Sequence, residues 1–314
     1  MKKTNRYLSF LLLLLLIGVT SSCIKDDYTP ESKEKANVSV KLNTRANDDN
    51  FLTNEGIKTV RLILVQEGQV IINHLFSVNT DSEEETFSIL GIPAQNTDFY
   101  AVVNEASVNQ NFDSYATGSR FDASAFKGTL LSANFPATYS DIANSGLPMA
   151  GELLQQYISD GFSVTIPVTR AIARIDLNIT NNSGADLPIT SVDFGAFFTN
   201  QTPLFSQENL GSTSYSSHSF EETETINKGG DHTFTYYLYE SRAGNNAYTV
   251  GLNNGQYKPI AIKKTENNQP IDELLRNQIL RINATVNESE IEVNNLQVVI
   301  APWEENNVTV PPFE

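Results

Sequence analysis

Three histidines, His74, His218 and His232, and one cysteine, Cys23, have the widest chemical range in this 314-residue chain. No two of the histidines are spaced to share a metal on one element. The sequence contains no HExxH, no phosphate-binding Walker loop, no GxGxxG and no GxSxG. A single cysteine excludes an internal disulfide framework and a cysteine-rich zinc site. Asp26–Asp27 and Asp48–Asp49 lack the alternate spacing of a calcium loop. Glu83, Glu84 and Glu85 read as a solvated charge run. The expectation is therefore a non-enzyme with no catalytic residue, no metal ligand and no cofactor. Lys plus Arg number 21 against 37 Asp plus Glu, a net charge of −16. Such a surface repels phosphate, so nucleic acid is not expected as a partner.

The cysteine has a chemistry of its own. Lys2, Lys3 and Arg6 precede an apolar run from Leu8 to Val19, and Thr20, Ser21 and Ser22 lead into Cys23. A membrane-spanning helix needs about 20 apolar residues, so this run has the length and flanks of a signal peptide instead. A small-residue triplet ending in cysteine resembles a bacterial lipobox, in which that cysteine becomes the lipid-bearing first residue. Several acyl chains on one residue anchor firmly, at about 0.8 kcal/mol per buried methylene. The alternative is a secretory signal cut near Ser22 that leaves a free thiol. Lys25-Asp26-Asp27 follows and resembles the surface-export signal of Bacteroidetes lipoproteins; Ser32 to Lys35 reads as solvated linker.

The rest of the chain reads as strands. Val38, Val40 and Leu42 alternate with Ser39, Lys41 and Asn43, the pattern of a half-buried strand. Thr59–Val65 is expected to pair with Gln69–Leu75 across Glu67-Gly68. Further strands are expected over Phe87–Leu90, Asp98–Asn104, Phe162–Val168, Thr169–Ile179, Ile189–Phe198, His232–Glu240, Tyr257–Lys263, Gln278–Val286 and Leu296–Ile300. One short helix is expected within Ser119–Ser132, capped by Asp122. Phe234 and Tyr236 fall on one face of their strand and Tyr237 and Tyr239 on the other, so one pair suits a core and the other could be an adhesive patch. Short strands between Asn- and Gly-bearing turns imply an all-β fold, two β-sandwich domains in tandem with minor helix. The expected division is a signal peptide over 1–23, linker and first strand over 24–45, and domains over 46–165 and 166–303. A tail over 304–314 follows.

Several segments in order along the chain resemble the fimbrillin family of Bacteroidales type V pili. They are Phe99-Tyr-Ala-Val-Val-Asn-Glu105, Leu147-Pro-Met-Ala-Gly-Glu152, Val168-Thr-Arg-Ala-Ile-Ala-Arg-Ile175, Tyr236-Tyr-Leu-Tyr-Glu240, Arg276-Asn-Gln-Ile-Leu-Arg281 and Val298-Val-Ile-Ala-Pro-Trp303. Leu280 departs from the pattern, where an aromatic is usual. The resemblance implies transthyretin-like sandwiches and a structural role. Such subunits reach the cell surface as outer-membrane lipoproteins, are cut by an arginine-specific protease and lose their first strand. The C-terminal strand of a neighbouring copy then fills the groove, and the fibre supports adhesion to host or bacterial surfaces. The implied partners are other copies, accessory pilus subunits and that protease.

For that mechanism the residues offer candidates. Arg45 follows the Val38/Val40/Leu42 strand among small and polar neighbours, so cleavage between Arg45 and Ala46 would release the strand. Arg61 sits within an apolar strand, and Arg120 has no removable strand before it. Val308, Val310 and Phe313 could form a donor strand, although Pro311 and Pro312 lack the N–H groups for pairing. The same features leave open an accessory tip or anchor subunit, or a surface glycan-binding lipoprotein. An anchor would stay uncut, a tip would lack a usable donor tail, and a glycan binder would remain monomeric.

Overall fold

The computed structural model describes residues 34–43, 52–82, 84–132, 134–206, 214–244, 246–264, 269–287, 290–292 and 299–302. Alternation becomes strand almost wherever it occurs. β1 (Lys35–Asn43) buries Ala36, Val38, Val40 and Leu42 and turns Lys35 and Asn37 outward. β2 (Ile57–Gln66) and β3 (Gln69–Ser82) form the expected hairpin. Its turn residues Glu67 and Gly68 have φ of 50° and 74°. Two positive φ values give a tight turn whose twist matches that of the strands it joins.

From Lys35 onward the described residues form one compact unit with two hydrophobic cores. Two sheets surround the first core. One runs β4 (Glu84–Pro93), β1, β9 (Phe162–Pro167). The other runs β10 (Thr169–Arg170), β8 (Met149–Tyr157), β5 (Asn96–Val103), β2, β3. The second core lies among β11 (Ile172–Asn181), β15 (Asp231–Tyr239), β18 (Gln278–Asn287), β12 (Leu187–Phe198), β14 (Ser216–Ile226), β16 (Thr249–Leu252) and β17 (Tyr257–Ala261). β19 (Glu290–Glu292) and β20 (Val299–Pro302) both pair with β18, and β7 (Ala137–Thr138) pairs with β15. A short ladder joins β6 (Leu130–Ser132) to β13 (Gln201–Pro203).

The fold is all-β, and several details differ from the pattern-based expectation. The chain changes sheets at Val168, because β9 pairs with β1 and β10 with β8, and again at Ala171, where β11 begins its pairing with β15 and β18. A boundary drawn after residue 165 therefore falls inside β9. β14 escapes detection because Glu221, Glu222 and Glu224 break its apolar pattern, yet its backbone ladder to β12 holds it as an edge strand. β8 carries Gly151 and a positive φ at Gln155, which mask its alternation. The helix, α1 (Ala123–Lys127), spans five residues, with Asp122 Oδ1 accepting from the Ala125 amide at 3.0 Å. Both faces of β15 are buried, Tyr237 and Tyr239 in the first core and Phe234 and Tyr236 in the second. None of these four rings is free to serve as an adhesive patch.

Candidate functional site

Among the described residues β1 is the central strand of its sheet and alone joins its two neighbours. It pairs antiparallel with β4, from Lys35 opposite Pro93 to Asn43 opposite Glu84. It pairs parallel with β9, from Val38 opposite Phe162 to Asn43 opposite Pro167. Among the described residues β4 and β9 do not pair with each other. The β1 side chains Ala36, Val38, Val40 and Leu42 are exposed by 0, 2, 0 and 0%. Phe87, Ile89, Ile92, Val164 and Ile166 are buried in the same core. Burying two valines and a leucine stabilises by very roughly 1.5–3 kcal/mol each.

The two neighbours have independent supports. Gln66 Nε2 donates to the Pro93 carbonyl at 2.9 Å and ties the end of β4 to β2. The end of β9 lies against β8: a Cβ on Gly151 would stand 2.2 Å from the Pro167 carbonyl oxygen, so only glycine permits this approach. β10 then continues along β8. Both walls are thus held by elements other than β1. Without β1 they would bound a groove with two unpaired edges and four apolar pockets, a template for another strand.

At its start β1 has a specific fastening. Asn37 faces a β-bulge, in which Leu90 and Gly91 of β4 oppose one residue of β1. Gly91 takes the left-handed conformation, with φ of 72°, and its N–H donates to Asn37 Oδ1 at 3.2 Å. Asp160 Oδ1 accepts from the Asn37 amide at 3.0 Å and from Asn37 Nδ2 at 2.9 Å. The Gly161 amide donates to the Asn37 carbonyl at 3.0 Å. Alternation identifies the buried residues of β1 but passes over Asn37, because a polar outward residue looks like any other.

Val38, Val40 and Leu42 are where the pattern put them. Cys23, Arg45, Ala46, Val308, Val310 and Phe313 lie outside the described residues, as do Asp26, Asp27 and Trp303. The rival cleavage point Arg61 is 3% exposed, with its guanidinium on Glu105 at 2.7 Å and Asp113 at 2.8 Å. Burial opposes that charge, but the two carboxylates outweigh it and raise the arginine's pKa.

The motif residues serve packing and polar satisfaction. Asn104 is left-handed, with φ of 57°. It accepts from the Lys58 and Thr59 amides and donates to the Gly56 and Leu147 carbonyls. Arg174 donates to Glu55 at 2.8 Å and to Asp176 at 2.9 Å, and the Tyr237 hydroxyl also reaches Glu55 at 2.7 Å. Glu55 is missed by sequence patterning because its side-chain partners Arg174 and Tyr237 lie more than a hundred residues away in the chain. No cluster of three His, Cys, Asp or Glu side chains suited to a metal occurs among the described residues. No described helix is long and apolar enough to cross a membrane.

No protein-family model and no curated protein matches the sequence. Solved structures do match. The tip fimbrial protein Mfa3 of Porphyromonas gingivalis, C-terminally truncated, superposes with a TM-score of 0.56 at 14% identity. The match covers 82% of this chain and 97% of that one. The fold is that of Bacteroidales fimbrial proteins. A fimbrilin of P. gingivalis gives a TM-score of 0.52 at 13% identity, over 88% of this chain and 95% of that one. A fimbrial assembly protein of Parabacteroides distasonis gives 0.52 at 13%, over 85% and 99%.

Proposed function

We propose that this chain is a structural subunit of a surface fimbria. It is exported as a lipoprotein through Cys23, anchored in the outer membrane, cut between Arg45 and Ala46, and polymerised by donor-strand exchange. The observation that carries this reading is β1: a central strand, buried on one face, alone among the described strands in joining β4 to β9, and ending two residues before Arg45. Loss of that strand leaves two preformed edges and four pockets, and a strand of a second copy restores the ladder. The likeness of the fold to fimbrial proteins supports the structural role. In this reading 46–165 and 166–303 are tandem sandwich units sharing the strands near their junction.

The donor in this reading is the 304–314 tail, with Val308, Val310 and Phe313 as its apolar residues. The mature fibre is an extracellular adhesive polymer, and its partners are further copies, accessory subunits and surface ligands. The test is to treat the purified precursor with an arginine-specific protease, sequence the new N-terminus and look for polymer on unboiled gels. A cut at Arg45 with ladder formation supports the reading. A folded protein that is cut there and stays monomeric at every concentration speaks against it.

A further inference from the structure

The fastening around Asn37 selects a residue type. Asn37 supplies a side-chain donor to Asp160 and a side-chain acceptor to Gly91, and its backbone bonds Asp160 and Gly161. Aspartate cannot donate to Asp160 at neutral pH, and serine is too short to serve both neighbours. The bulge at Leu90–Gly91 occurs once along the β1–β4 ladder, so the fastening also sets register.

The Asn-Val dipeptide occurs twice in the whole sequence. One is Asn37-Val38-Ser39-Val40 and the other is Asn307-Val308-Thr309-Val310. The second repeats the first at three of four positions, with Thr for Ser at the remaining one. The match stops on both sides: Asn306 stands for buried Ala36, and Pro311 for Lys41. Proline ends the ladder there, so four residues must define the alignment.

We infer that Asp160, Gly161 and Gly91 form a register lock that reads an asparagine, and that Asn307 of a second copy is the residue it reads. This rests on the donor-strand reading above and adds its alignment. Asn307 takes the place of Asn37, Val308 and Val310 fill the Val38 and Val40 pockets, and Thr309 stands beside Ser163. The donor strand then runs parallel to β9 and antiparallel to β4, as β1 does.

The lock is tested by trapping this register in the full chain, with Cys23→Ser so that introduced thiols stand alone. Ser39 pairs with Ser163 across β1 and β9, on the outward face. Cα atoms at that strand spacing suit a disulfide. After cleavage with an arginine-specific protease, Ser163→Cys with Thr309→Cys should give an intermolecular disulfide between neighbouring subunits. Ser163→Cys with Pro311→Cys, shifted by two residues, should not. In single-variant chains with natural residues elsewhere, Asn307→Ala and Asp160→Ala should each slow polymer growth, by roughly three- to tenfold for a lost hydrogen-bonded pair. The double variant should be no slower than the slower single. Asn307→Asp should be slower than Asn307→Ala, with the excess relieved by salt.

If the cut parent chain forms no polymer, the donor-strand reading and the lock fall together. Polymer that forms without the 163–309 link overturns the lock alone. So does a link from 163 to Gln297→Cys, because Asn295-Leu296-Gln297-Val298 has the same order of residue classes.

Discussion

Arg276 Nε donates to Glu240 Oε1 at 2.7 Å, joining two motifs that stand 36 residues apart. The guanidinium also donates to Thr202 Oγ1 and to the carbonyls of Pro203 and Leu204. Both side chains are almost wholly buried. The pair therefore clamps the β13 segment onto Glu240, the residue that follows β15. Glu240→Ala strands a buried cation and should destabilise by about 3–5 kcal/mol. Glu240→Leu combined with Arg276→Met should recover most of that loss. Urea denaturation followed by circular dichroism measures both. Equal stability of the single and double variants would show that the pair is not coupled.

The mature subunit should begin at Ala46. Residues 1–45 hold eight basic and four acidic residues, so the mature chain has 13 basic against 33 acidic and a net charge of −20. N-terminal sequencing of surface fibres checks this. Material starting at Ile24, or blocked at Cys23, would contradict it.

Arg45→Ala should give a folded surface monomer that does not polymerise. An uncut β1 competes with a neighbour's tail at a very high effective concentration. Electron microscopy of cells carrying this variant reads the outcome, and fibres of ordinary length would remove Arg45 as the gate.

Deletion of Asn307 to Glu314 should leave a folded, processed subunit that cannot extend a fibre. The chain would retain β20 in its place on β18. Ladders on unboiled gels after cleavage would instead identify a donor upstream of Asn307.

Alkaline pH should unfold the protein through its buried phenols. Burial raises Tyr100 and Tyr248 to about 12. Burial raises Tyr236 and Tyr237 further, with Glu222 and Glu55 as lesser contributors, and burial alone raises Tyr239. A raised folded value favours the neutral phenol. The stability gained is complete below the ordinary value near 10 and is lost as pH rises through the folded values. Ultraviolet titration should show these five of the 12 tyrosines ionising only with loss of fold. Smooth ionisation of every tyrosine near 10 in a folded chain would contradict their burial.

Much of the fold was legible because a strand with one buried face has period two. Val38, Val40 and Leu42 show it, as do Val164 and Ile166, and alternation needs no knowledge of the partner strand. Asp122 was legible as a helix cap for the same reason, since its partner lies three residues on. β14 and β8 were hidden because their pairing is a backbone property that glutamates, a glycine and a positive φ do not advertise.

By itself, the sequence determined an all-β chain whose first strand alternates and is followed by an arginine. Each of these rests on residue type and near-neighbour spacing. Only the tertiary structure decided that β1 is central between β4 and β9, that both faces of β15 are core, and that Asn37 meets Asp160 and Gly91. The Asn37 contacts alone cross 54 and 123 residues of chain. Contacts at that separation leave no local periodicity, because loop closure brings them together after the strands' own patterns have been satisfied.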